Sequence, residues 1–245
     1  MVEPLFIWDG PEPQVAQTIT LTGPEAKHAA SVRRMRVGEA IQVTNGKGLR
    51  VRGQVATVAA DAVQILVDET SHEAKPALEL TLIQALAKGD RDELAVQAAT
   101  ELGVMQVVPW QAERSVSRWD GPKVAKGVQR WQSIVDEAAK QALRAWTPAV
   151  LQPITTKELA KQVAQFEVVL VLDPTAEIGL ASVKLPAKAS VALVVGPEGG
   201  ISPAELTALQ QAGATRVHLG TSILRTSTAG MAAIAALQAG AGNWG

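Results

Sequence analysis

Two glycine-bearing segments hold the residues best placed to do chemistry. The first, Val195-Gly196-Pro197-Glu198-Gly199-Gly200, joins an apolar run to a marked helix start at Ser202. Its three glycines permit positive φ and let a ligand lie against main chain with no Cβ in the way. Main-chain N–H and C=O groups exposed there can read an adenine or a small polar group. The plainer alternative is a tight strand-to-helix turn. The spacing is not G-x-G-x-x-G, and no G-x-x-x-x-G-K-[ST] occurs, so dinucleotide and P-loop readings fail. The second segment runs from Leu219-Gly220 through Ile223-Leu224-Arg225 to Gly230. Arg225 precedes a cluster of hydroxyls expected to cap a helix over 226–240. A positive charge beside a glycine-rich hollow can hold a phosphate or stabilise developing negative charge. The alternative is an ordinary surface arginine.

These segments need a frame. Apolar β-type runs at 78–86, 104–110, 168–172 and 191–195 alternate with helix-length stretches. Such runs predict a parallel sheet covered on both faces, which binds ligands beyond the carboxyl ends of its strands. Ser202-Pro203-Ala204-Glu205 has capping-box spacing with proline in the first turn. Asp90 and Glu93 have the same spacing and are expected to begin another helix, closed by Gly103. The segment 112–126 reads as a long loop. The helix from 226 is small and apolar on most faces and must be buried, within the subunit or between subunits. Residues 1–72 read differently: short strands at 5–8, 18–21, 40–44, 49–58 and 62–70, a hairpin signal at Asn45-Gly46, and one helix over 24–32 with Thr22 or Gly23 as its cap. A small β barrel is the expectation. The polar stretch 71–76 ends in Pro76 and reads as a linker. The domains expected are 1–72 and 78–245, with 73–77 between them.

The chain has 245 residues, a net charge of -1 and no cysteine. Disulfides, a thiolate nucleophile, zinc–cysteine sites and iron–sulfur clusters are excluded. No run reaches the roughly 20 apolar residues that cross a bilayer, and no secretory signal is visible, so a cytoplasmic protein without membrane attachment is expected. Aromatics are only 3%, which disfavours a base-stacking platform. His28, His72 and His218 are too scattered for a metal site. The distribution of charge is more telling. Lys27, Arg33, Arg34, Arg36, Lys47, Arg50 and Arg52 are opposed only by Glu39 within 27–52. A second basic run, with Arg114 and Arg144 among its members, spans 113–144. Charge runs are commonly solvated faces; two of them raise the case for a phosphate-facing surface.

Taken in order, the motifs resemble a known family. They are His28 with Arg33-Arg34-Met35-Arg36-Val37-Gly38-Glu39; Ala87-Lys88-Gly89-Asp90; Thr100-Glu101-Leu102-Gly103-Val104; Glu113-Arg114-Ser115-Val116; Arg130-Trp131; Glu137-Ala138-Ala139-Lys140-Gln141; the glycine turn; and Leu219-Gly220 with Ile223-Leu224-Arg225-Thr226. The sequence resembles the RsmE family, the small-subunit rRNA uridine-N3 methyltransferases of the SPOUT superfamily. The resemblance implies a PUA-like RNA-binding β barrel followed by an α/β domain with a deep trefoil knot. It also implies a homodimer that binds S-adenosylmethionine and methylates N3 of a uridine near the decoding centre of 16S rRNA, in the assembled small subunit. The cofactor pocket carries over onto Leu172, Gly196, Pro197, Glu198, Gly199, Gly200, Leu219, Gly220, Ile223 and Leu224. One departure is Ser227, where the family usually has Glu. Arg225 and Arg114, with Glu198 and Arg144 behind them, are the side chains expected at the reacting uracil; Glu198 equally serves to hold the turn. The alternatives are a 2′-O-ribose methyltransferase of the same superfamily and a non-catalytic RNA-binding or ribosome-assembly protein.

Overall fold

The computed structural model describes residues 2–244. The chain divides into two compact units: Met1–Lys75 with Ala139–Thr147, and Pro76–Ala138 with Pro148–Gly245.

The first unit is built on β1 (Leu5–Ile7), β2 (Thr18–Thr22), β3 (Ala40–Thr44), β4 (Leu49–Val58) and β5 (Ala62–His72), in the order β1-β3-β4-β5-β2. β1 pairs with β3 in parallel; the other pairs are antiparallel. The period-2 alternation of side chains builds its core. In β4, Leu49, Val51 and Val55 are buried while Arg50, Arg52 and Gln54 alternate with them; in β5, Val63, Ile65 and Val67 are buried. At Gly53 a Cβ would lie 2.2 Å from the Leu66 carbonyl oxygen, and the register shifts there, so the bend requires glycine. The Asn45-Gly46 hairpin forms, with Asn45 Oδ1 accepting from Lys47 N–H at 2.8 Å. The helix expected at 24–32 divides. It begins as α1 (Gly23–Lys27), without a side-chain cap from Thr22, and widens into a π-helical turn over His28–Val32.

The second unit holds β6 (Leu78–Ala85), β7 (Gln106–Gln111), β8 (Ala149–Val150), β9 (Ile154–Thr155), β10 (Val168–Leu172), β11 (Ala189–Val195) and β12 (Thr215–Val217). Its sheet runs β12-β10-β11-β6-β7-β8, with β9 also on β7, and every pairing is parallel. Alternate residues of one strand feed two cores. Val191, Leu193 and Val195 of β11 join a cluster with Val96 and Ala99 of α2 (Arg91–Glu101), Trp131 and Val135 of α3 (Pro122–Gln141), and Ala233, Ile234 and Leu237 of α6 (Thr226–Gly240). Ala192 and Val194 face the other way, in a cluster with Leu159 of α4 (Thr156–Gln162) and Leu209 of α5 (Pro203–Gln211). Continuous apolar strands follow from burial on both faces.

The helix expected from Asp90 forms as α2, with Asp90 at its N-cap position and Gly103 just past its end at φ +102, but Asp90 makes no side-chain cap. The carboxylate two residues on, buried Asp92, accepts from Ala87 N–H at 3.0 Å, while Glu93 reaches out to Arg130 at 2.7 Å. A partner outside the helix outcompetes the reciprocal cap. The loop expected over 112–126 ends early, because α3 begins at Pro122, a residue pre-set for the first helical turn. The box at Ser202 does form: Ser202 Oγ accepts from Glu205 N–H at 3.3 Å, and Glu205 Oε2 accepts from Ser202 N–H at 3.0 Å.

Candidate functional site

The carboxyl ends of β10, β11 and β12 open onto one cleft of about 700 Å³, within the range of small-molecule and cofactor sites. Most of its wall comes from three chain segments, 172–175 at the end of β10, the glycine turn after β11, and 217–226 from β12 to α6, with Arg91, Arg114 and α5 completing it. Of the residues the sequence points to, Leu172, Gly196, Pro197, Glu198, Gly200, Leu219, Gly220, Ile223, Leu224, Arg114 and Arg225 line it. Gly199 sits just behind the wall, and its carbonyl accepts from Arg114 Nη1 at 3.2 Å. The two glycine-bearing segments therefore meet, as the parallel-sheet rule requires of loops at one sheet end.

The glycine turn is tied from several directions. Gly196 O accepts from Thr226 Oγ1 at 2.7 Å, and that hydroxyl accepts in turn from buried Gln84 Nε2 at 2.9 Å. Thr226 thus serves the turn and not the helix, and α6 has no side-chain cap, contrary to the expectation for its hydroxyl cluster. Glu198 Oε1 accepts from Lys88 N–H at 3.1 Å and from Arg91 Nη1 at 2.8 Å. Burial alone would raise the Glu198 pKa, but its own N–H, Lys88 N–H and Arg91 together leave it below 4.5. That carboxylate is occupied in holding the turn.

The opposite wall is looser. Gly220 has φ +114, which L side chains rarely adopt, and nothing lies within 4 Å of a Cβ built there. Its N–H donates to His218 Nδ1 at 3.0 Å. Residues Thr221 to Leu224 make no hydrogen bond with other described residues. Ile223 is 80% exposed. Arg225 is exposed, and its guanidinium has no ion pair or hydrogen bond among the described residues. Ser227, the departure from the family pattern, is buried in the first turn of α6.

The comparisons with known proteins agree on one family. The family described as an RNA methyltransferase domain matches residues 73–238, and the one described as an RNA methyltransferase PUA domain matches 21–68. A relative named ribosomal RNA small subunit methyltransferase E, from Mycobacterium bovis, is 38% identical over all of this chain and 94% of its own length. The chain belongs to the ribosomal RNA small subunit methyltransferase E family. The Bacillus subtilis member is 33% identical, covering 91% of this chain and 90% of that protein. Among solved structures, the Neisseria gonorrhoeae family member bound to S-adenosyl methionine is 30% identical, with a TM-score of 0.87 over 97% of this chain and 98% of that one. A putative Legionella pneumophila methyltransferase in complex with the cofactor SAM is 29% identical, also with a TM-score of 0.87, over 98% of each chain. The PUA match lies within the first unit, the PUA-like one, and the methyltransferase match covers most of the second together with residues 139–147 of the first.

The remaining residues named from sequence are not all equivalent. Arg144 does not line the cleft; it lies in the 139–147 segment of the first unit, where burial pushes its pKa down to about 10, against the pull of Glu73. It still carries its charge at neutral pH. In the PUA-like unit, Lys27, Arg33, Arg34, Arg36 and Lys47 are exposed. Arg50 is instead spent within the fold, donating to Glu73, to Gln42 Oε1 and to the Leu143 carbonyl. Arg52 is paired with Glu3 and Glu69. Arg34 has φ +54, in the left-handed region that non-glycine residues seldom occupy.

The cleft residues that escaped the sequence reading include three that can carry charge, Arg91, Asp173 and His218. Asp173 follows β10 and His218 follows β12, so both sit where a parallel sheet places its ligand-facing groups; that position was the available signal. Asp173 is fully engaged, taking Arg216 Nε at 2.7 Å and both Thr175 N–H and Oγ1 at 2.9 Å. Burial opposes its ionisation, but these bonds together hold its pKa below 3.8.

Proposed function

We propose that this protein transfers a methyl group from S-adenosylmethionine to N3 of a uridine in 16S rRNA, near the decoding centre, acting on the assembled small subunit. The observation that carries the reading is the meeting of the glycine turn and the Leu219–Arg225 segment around one cleft. That cleft suits the cofactor: Leu172, Val195, Leu219 and Leu224 offer apolar contact to a base, while the open glycine at 220 leaves main chain uncovered for polar edges. When bound there, the cofactor supplies a methyl group already activated by a positive sulfur.

The protein then has two tasks. It must bring the uracil nitrogen into line, a positioning effect of large magnitude. It must also stabilise the uracil anion left when the N3 proton passes to solvent water. Arg225 and Arg114 are the cationic groups with that role, because both face the cleft and neither guanidinium is neutralised by a carboxylate. Glu198 acts behind them as the brace of the turn. Uracil N3 is occupied in a duplex, so the target base must be exposed or extruded. The PUA-like unit grips RNA phosphates through Lys27, Arg33, Arg34, Arg36 and Lys47, which makes binding salt-dependent.

The same reading includes a homodimer and a deep trefoil knot in the methyltransferase domain. Partly exposed Met231, Ala232 and Ala235 on α6 provide an apolar face for self-association. The chain after β10 pairs with the end of β12, Leu180 N–H donating to His218 O at 2.9 Å, before α6 returns to pack on β6 and β11; this supports a threaded path. The deciding experiment is labelled methyl transfer to small subunits followed by nucleoside analysis. Label in 3-methyluridine is expected; label in a 2′-O-methylated ribose, or none, overturns the proposal.

A further inference from the structure

Among the described residues, Arg114 has one tie at its tip, the 3.2 Å bond to the Gly199 carbonyl. The residue before it is anchored far more firmly. Glu113 N–H donates to Glu205 Oε1 at 2.8 Å, and Glu113 Oε2 accepts from Ser202 Oγ at 2.6 Å. Ser202 and Glu205 are the reciprocal cap of α5, and both are buried. Glu205 Oε1 also accepts from Thr156 Oγ1 at 2.6 Å, which accepts in turn from Trp110 Nε1 at 3.1 Å. The cap is complete without Glu113: a capping serine uses an oxygen lone pair, and its hydroxyl proton is left over. That spare proton goes to Glu113. Because the cap follows the glycine turn directly, one buried node fixes both the turn and the backbone that launches Arg114.

We propose that Glu113 is a positioning residue for Arg114, holding its guanidinium over the turn without touching the cleft itself. The inference rests on the reading of Arg114 as a group that stabilises the uracil anion. Glu113 is not among the cleft-lining residues, so its removal should leave cofactor contacts in place.

The test compares wild type with E113A, E113Q, E113D, R114A and the double variant E113A/R114A, reading kcat on small subunits and KM for S-adenosylmethionine. E113A is expected to lower kcat roughly 10-fold, since a small misplacement of a catalytic group is costly. Its KM for the cofactor should stay within about twofold of wild type. E113Q keeps an oxygen that accepts the Ser202 proton and should retain most activity. E113D keeps the charge on a shorter arm and should fall near E113A. In the R114A background, E113A should change nothing further, because coupled residues are not additive.

Wild-type kcat in E113A, with R114A impaired, overturns the inference and leaves the role of Arg114 intact. A further loss in the double variant, a KM that rises as kcat falls, or an E113D more active than E113Q also overturns it. Wild-type kcat in R114A removes both the inference and the reading beneath it.

Discussion

The two walls of the cleft are made differently. The glycine turn is pinned through Gly196, Glu198 and Gly199 by Thr226, Lys88, Arg91 and Arg114, and it runs into a helix whose cap is itself buried. The facing loop, Thr221 to Leu224, has no such ties among the described residues and holds Ile223 out to solvent. A pinned wall presents its main chain before a ligand arrives, so little ordering is left to binding. A wall without such ties leaves its apolar side chains free to gain burial when a ligand enters, which is the expectation for Ile223. The difference separates residues that set the shape of the site from residues that respond to what enters it.

Substitutions can break that contrast, and the largest effect belongs to chemistry and not to either wall's architecture. Arg225→Ala should lower methyl transfer to small subunits by about 100-fold. Its guanidinium has no hydrogen bond or ion pair among the described residues, so calorimetry should still find cofactor binding and light scattering an unchanged assembly; unchanged turnover would remove Arg225 from the mechanism. Next comes the loose wall's fixed point. Gly220→Val places a β-branched residue at φ +114, which it cannot adopt without remodelling the loop. Cofactor affinity should fall at least about 10-fold by calorimetry, while the thermal midpoint barely moves because the loop is exposed.

Ile223→Ala should act more gently. Losing the apolar area that a ligand would bury costs about 1 kcal/mol, a rise of roughly 5-fold in KM for the cofactor with kcat unchanged. A KM equal to wild type would mean that the loose wall does not close on the ligand. The smallest effect belongs to the pinned wall. Glu198 has its pKa held below 4.5 by its hydrogen bonds and Arg91, despite the opposing effect of burial. Its contribution to stability is therefore complete above about pH 4.5 and is lost as the pH falls through the lower folded value. Thermal midpoints of wild type and Glu198→Gln should differ at neutral pH and converge in acid. A constant offset across the series would show that the ionised carboxylate is not what braces the turn.

The sequence made some of this legible and hid the rest for identifiable reasons. The parallel sheet was readable because burial on both faces leaves unbroken apolar runs, as in β10 and β11. The cap at Ser202 was readable because all its partners lie within four residues. Long-range partners were not. The reciprocal cap expected between Asp90 and Glu93 does not form, and Glu93 is paired instead with Arg130, 37 residues away. Thr226 left its helix for Gly196, 30 residues away. Charge type was visible for all seven basic residues of the 27–52 run, but which of them the fold consumes was not. Arg50 differs from Arg36 only through Glu73, Gln42 and Leu143, and nothing local marks those partners. Asp173 and His218 were hidden differently. Strand-end position marks them, while their residue types belong to no motif.

One consequence follows from the way the PUA-like unit borrows Ala139–Thr147. The buried Thr44 hydroxyl donates to Ala145 O, Gly48 N–H donates to the same carbonyl, and Lys140 Nζ lies 2.8 Å from Glu25. During synthesis the strands up to His72 leave the ribosome well before these partners exist. The N-terminal module can be completed only after more than half of the chain has been translated. A single cut after Lys75 cannot release it whole, and an expression clone designed from the 21–68 match would lack the peptide that seals it. Separating the two modules would require grafting the distant nine residues back, a rearrangement of the gene and not a truncation.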